Sequence, residues 1–192
     1  MTPSEIDAVR ERGILSALAG APFLLAFGLA WIVGGILSYV LPPGIAPWIY
    51  PILGMPAAAV AIALERRVGY VPAPASDPLL PLALQLLFLQ IVAFPAILLV
   101  WDATPAYVPV AFAAIVGAHF LPFQWIYKTS LYGILGVLVA LGPYVLAVIF
   151  REKALHYTGF FVGACLLVGS FAARAHARAA WRRAGAAAPP PP

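Results

Sequence analysis

The chain has 192 residues, 64% of them apolar and only 9% charged, with a formal net charge of +4. Soluble chains are about one quarter charged, so 11 bases and 7 acids are too few for a water-facing globule of this size, and lipid is the expected solvent for most of the surface. The 20 prolines and 16 glycines do not signal general disorder, because they stand within strongly apolar runs.

The basic residues fall between apolar runs instead of clustering on one soluble face, which marks them as topology signals and argues against a nucleic-acid partner. Cys165 is the single cysteine, so an intrachain disulfide and a multi-thiolate zinc site are both excluded. Nine arginines against two lysines, with abundant Ala, Pro and Gly, point to a high-GC bacterial gene.

At the N-terminus, Thr2-Pro3-Ser4-Glu5 matches a capping box with proline at the first helical position. A short cytoplasmic helix leading straight into the first span is expected. Glu5, Asp7 and Glu11, followed by an apolar run too long for a signal-peptide core, do not fit a cleaved leader. No charge then occurs between Arg12 and Glu65. As one helix that interval would be roughly 78 Å long, more than twice a bilayer core of about 30 Å, so it must turn once. Leu41-Pro42-Pro43-Gly44 is the evident place.

The expected spans are therefore 14–41, 46–64, 79–101, 105–127, 130–150 and 154–173, with a polar loop over 68–78. The fold expected is an all-α, polytopic membrane bundle of six transmembrane helices. It forms a single membrane domain over 1–185, followed by a disordered Ala/Pro tail over 186–192. With a cytoplasmic N-terminus, nine bases (Arg10, Arg12, Arg66, Arg67, Lys128, Arg174, Arg178, Arg182, Arg183) lie inside, and only Arg151 and Lys153 lie outside. The positive-inside bias thus places both termini in the cytoplasm and the protein in the inner (plasma) membrane. Trp48, Tyr50, Trp101 and Tyr107 mark the outer boundary, and Trp125, Tyr127 and Trp181 the inner one. Trp31 falls near mid-membrane and is expected between helices.

Ala26, Ala30, Gly34 and Ser38 recur at steps of four, a small-residue ribbon of the kind that lets helix backbones approach closely in lipid. It reads as packing inside the chain or as a homo-oligomer face. Gly159 and Gly163 form a shorter feature of the same kind. Prolines and glycines within spans resemble the broken helices of transporters, but membrane helices tolerate single prolines without that role, and few polar groups accompany them.

The polar stretch that stands out runs from Gly117 to Lys128. His119 lies nine residues before Lys128, roughly 13 Å from the inner boundary by helical rise, where an ionisable side chain is costly and a functional candidate by default. Pro122 lacks an N–H and displaces the Ala118 carbonyl. Gln90 falls at the depth of His119, and Gln85 at that of Gln124, so antiparallel helices would bring them level. His119, Gln124, Gln90, Gln85 and Lys128 form the candidate polar intramembrane site.

His119-Phe120-Leu121-Pro122-Phe123 with Trp125 and Tyr127 resembles the signature of a family of small, uncharacterised bacterial membrane proteins. The likeness extends over the first span, the Glu65-Arg66-Arg67 end of the second, and the fifth. It implies the six-span topology and draws attention to His119, and it implies no activity. No catalytic, cofactor-binding or metal motif is present: no paired-His motif, nucleophile elbow or phosphate loop. The expected function is that of an accessory or structural membrane protein, not an enzyme, needing no cofactor and having membrane lipids as its surroundings. The alternative is a small transporter or permeation pathway for a small molecule or ion, centred on His119.

Overall fold

The structure, a computed structural model, describes residues 2–69, 71 and 78–185. The 186–192 tail and most of the 68–78 loop lie outside the described residues. Among the described residues every regular element is helical.

Helix α1 (Pro3–Ser16) opens on the expected capping box. Thr2 Oγ1 accepts from the Glu5 N–H at 3.3 Å, and a Glu5 carboxylate oxygen accepts from the Thr2 N–H at 2.6 Å, satisfying otherwise orphaned donors. The helix does not run straight into α2 (Ala21–Leu37), contrary to the sequence expectation. Leu18, Ala19 and Gly20 have φ of 49°, 50° and 79°, a left-handed elbow. The reason lies in Pro22: in a continuous helix its ring would collide with the Leu18 carbonyl. A left-handed conformation costs a non-glycine residue about 1–2 kcal/mol. The elbow is pinned on both sides, by the Tyr132 hydroxyl donating to Ala19 O at 2.5 Å and the Ser170 hydroxyl donating to Ala21 O at 2.9 Å.

A 3-10 turn at Ala46–Trp48 leads into α3 (Ile49–Val68), which takes Arg66 and Arg67 into its last turn, where cations complement the helix dipole. The third apolar run is two helices, α4 (Leu80–Val92) and α5 (Phe94–Ala103), parted at Ala93. Pro95 explains the break, since it lacks an N–H and crowds the Ile91 carbonyl. Helix α6 (Val108–Ile126) continues through Pro122. Helices α7 (Leu131–Phe150) and α8 (Ala154–Arg183) form an antiparallel hairpin, because Gly142 meets Phe161 while Gly169 meets Leu135. Arg151, with φ of 54°, carries the reversal. Helix α8 runs ten residues past the expected end of its span, so the basic stretch is helical.

By length and composition, five to six helices among the described residues can cross a membrane. The count is five when 131–183 is taken as one run, and six when that run is divided at its turn.

The centre of the bundle is α2 laid antiparallel on α8. A Cβ on Gly159 would lie 2.6 Å from Gly35 Cα, and one on Gly163 would lie 2.9 Å from Gly28 O. Backbones this close need glycine on both sides. Helices α6 and α7 approach equally closely, with a Cβ on Gly117 falling 2.5 Å from Ala140 N. The ribbon noted in α2 points elsewhere over Ala26, Ala30 and Gly34. Ala26 packs with Ala57 and Ala61 of α3, and Gly34 lies beneath the Tyr50 ring. Trp31 is buried between helices, with ring centroids 4.9 Å from Tyr50 and 5.7 Å from Phe112. The outer faces stay apolar: Leu29, Met55, Leu99, Leu141, Ile149 and Phe171 are all exposed.

Candidate functional site

Helix α6 carries the stretch singled out in the sequence. His119 is half-buried, and its Nδ1 lies 3.3 Å from the Val116 carbonyl on the same helix. A carbonyl only accepts, so Nδ1 is the protonated nitrogen in this bond. The ring sits 5.1 Å from Phe120 and 5.2 Å from Phe123. Helix α4 touches α6, yet Gln90 is half-buried and no hydrogen bond joins it to His119 among the described residues. Gln85 and Gln124 are exposed. His119 and Gln124 are five residues apart, about 140° around the helix, so they look out from different faces.

Gln124 and Lys128 do come together. They line a cavity of about 410 Å³ with Arg10, Leu121, Trp125, Thr129 and Ser130. The end of α6 builds this corner. The Lys128 N–H donates to Trp125 O at 3.3 Å and the Thr129 N–H to Gln124 O at 3.2 Å, a Schellman closure. Lys128 occupies the left-handed position, φ 51°, that usually holds glycine.

Helix α1 crosses over this corner and latches it. Arg10 Nε donates to Trp125 O at 2.8 Å, a second guanidinium N–H reaches the same oxygen, and the cation lies 4.6 Å above the Trp125 ring. Lys128 Nζ lies 3.3 Å from Asp7 and 3.4 Å from Glu11. Each exposed pair is worth about 0–1 kcal/mol, so the latch depends on several contacts acting together. His176 Nε2 adds a hydrogen bond to Tyr127 O at 3.0 Å, tying α8 to the same turn.

A second polar group lies at the opposite end, where the α2–α3, α5–α6 and α7–α8 connections meet. Ser38 Oγ donates to Gly35 O at 2.7 Å and lies 2.7 Å from His156 Nδ1. With the hydroxyl proton engaged by Gly35, the imidazole donates from Nδ1 and Nε2 is left as an acceptor. Tyr39 stacks on the His156 ring at 4.0 Å, and Tyr50 OH donates to Leu155 O at 2.6 Å. His156, Glu152, Lys153 and Trp101 line an open cavity of about 530 Å³. Ser38 is buried, and its hydroxyl fixes the orientation of the His156 ring. Among the described residues no three of His, Cys, Asp or Glu are grouped to hold a metal ion.

Sequence reading names Gln124 and Lys128 of the first polar group but not the Arg10 latch over them, and it misses the second group. Ser38 stands out in the sequence only as a member of the small-residue ribbon, and His156 carries no motif, although each stands at the end of its span nearest the other. Arg10 gave no comparable signal, since its partner is the backbone of a residue 115 positions away.

Residues 6–175 match a family described as "Family of unknown function (DUF7010)". No curated protein and no solved structure matches the chain.

Proposed function

The chain belongs to the DUF7010 family, whose description carries no activity, and from that starting point we propose that it is a six-span protein of a bacterial plasma membrane with an accessory or structural role. Both termini are cytoplasmic, α1 lies along the inner surface, and the end bearing Ser38 and His156 faces outward. One observation carries the non-catalytic, non-transporting reading. Neither of the two cavities described above is lined by His119, and its ring bonds to its own helix, so the deepest histidine has the surroundings of a packed side chain. Of the alternative pathway through His119, Gln90, Gln124 and Lys128, the cavity at the end of α6 takes in Gln124 and Lys128.

Reporter fusions test the topology: those at both termini and in the 70–77 loop should report the cytoplasm, and those after Gly44 and after Lys153 the outside. A cytoplasmic signal after Gly44 would overturn six spans. For the role, His119→Leu should leave thermal stability within about 1 kcal/mol, since no side-chain partner is stranded. A proton or ion flux in proteoliposomes that disappears in this variant would replace the accessory reading with the pathway.

A further inference from the structure

Helix α8 is longer than its membrane task requires. Its 30 residues span about 45 Å, against a hydrocarbon core of about 30 Å. With Ala154 at the outer boundary, on the topology proposed above, the core is crossed by about residue 173. Arg174, Arg178, Arg182 and Arg183 then emerge on the cytoplasmic side, and all four are exposed. At 100° per residue, Arg178 and Arg182 stand on the same face as Val168 and Phe171, which are exposed at 69% and 73%. The opposite face carries the fully buried Ala173 and Ala177. The arginines therefore continue the face that, two to three turns earlier, meets acyl chains.

Depth and charge agree with this placement. Each headgroup layer is about 5–8 Å thick, so Arg174 and Arg178 begin within it. Arg182 and Arg183 start roughly 13–15 Å from the core, within reach through side chains that extend back toward the interface and through a Debye length of about 8 Å. Of the acids at this end, Asp7 pairs with Arg10 and Lys128, Glu11 with Lys128, and Glu5 caps α1, while Glu65 stands beside Arg66 and Arg67 in the last turns of α3. None of the three ion pairs among the described residues includes an arginine of α8.

We propose that the exposed arginine face of the last ten residues of α8 is a docking surface for anionic phospholipid headgroups of the cytoplasmic leaflet. The inference rests on the membrane topology above. A guanidinium grips a phosphate with two parallel N–H donors. A polynucleotide fits this face poorly, because the stripe is in line with the lipid-exposed face and ends at headgroup depth.

The test uses the full chain in phosphatidylcholine vesicles containing trace spin-labelled phosphatidylglycerol or spin-labelled phosphatidylcholine. Wild-type protein should immobilise the anionic label preferentially, and the preference should shrink as salt rises from 20 to 500 mM. R178Q/R182Q should lose on the order of thirtyfold at these sites, following about 1 kcal/mol per arginine. R151Q/K153Q, at the outer end, should keep the preference. Equal immobilisation of both labels by wild type, or an unchanged preference in R178Q/R182Q, would overturn the proposal while leaving the topology standing. Binding of a labelled oligonucleotide that competes the lipid preference away would overturn it in favour of a polynucleotide. Absence of any immobilised label would overturn the membrane reading together with this one.

Discussion

Helices α2 and α4–α5 are both long, apolar and almost free of charge, yet they occupy opposite roles. Helix α2 lies at the centre, with Leu24, Ala26, Gly28, Trp31, Gly34 and Gly35 buried. In α4–α5, Leu86 and Ile97 are buried, whereas Leu84, Phe88, Leu89, Ile91, Val92, Leu98 and Leu99 are exposed. Hydropathy therefore does not decide which span is central. Small residues do: α2 offers glycines to α8 on one face and alanines with Gly34 to α3 on another, while α4–α5 has no glycine. In lipid, close approach of backbones supplies the dispersion contacts that the hydrophobic effect supplies in water.

Substitutions can break that comparison, beginning with the largest expected effect. Gly159→Leu places a branched side chain where even a Cβ meets Gly35 Cα at 2.6 Å. It should cost at least about 3 kcal/mol, the upper range for overpacking, read as a lowered thermal midpoint in detergent. A variant as stable as wild type would remove α2–α8 from the centre. Gly34→Leu should cost about 2 kcal/mol. Tyr50, which it displaces, is held by Trp31 and by Leu155 O. Loss of a dimer with unchanged stability would instead assign this face to an oligomer contact.

On the peripheral span, Ile97→Ala should cost about 2 kcal/mol, at the low end for buried aliphatic truncation, because Ile97 is one of the few anchors of α5. Leu99→Ala should change stability by less than about 0.5 kcal/mol, since the side chain is 74% exposed. If Leu99→Ala falls as far as Ile97→Ala in chemical or thermal unfolding, the outer face of α5 is covered in the assembled protein and the contrast with α2 fails.

These two regions also show how far the sequence could be read. Apolar runs and charge positions place Trp31, Lys128 and the α7–α8 reversal along the bundle axis, and Thr2 and Glu5 announce their own cap. Rotation about the axis is another matter. Gln90 and His119 were matched by depth, but depth does not say which way either points, and His119 turns to Val116 O. The ribbon of Ala26, Ala30 and Gly34 was visible, whereas Gly28 and Gly35, seven apart, are the residues that receive Gly159 and Gly163. Two glycine surfaces in one chain do not declare which belongs to which until the helices are paired. The elbow at Leu18–Gly20 was hidden by its apolar composition, although Pro22 carried the steric reason for it.

The pairing of α2 with α8 has a consequence for how the protein is made. Gly28 precedes Gly163 by 135 positions, and ribosomes add about 5–20 residues per second. Helix α2 therefore waits on the order of 10 s for the surface that covers its glycines, while α3 arrives early enough to cover Ala26 and Gly34. Until α8 emerges, the nascent bundle leaves a backbone groove uncovered, open to lipid on the membrane placement proposed above. A chain interrupted anywhere before α8 keeps that groove open, so copies lacking α8 differ from those carrying it by an exposed glycine surface on α2.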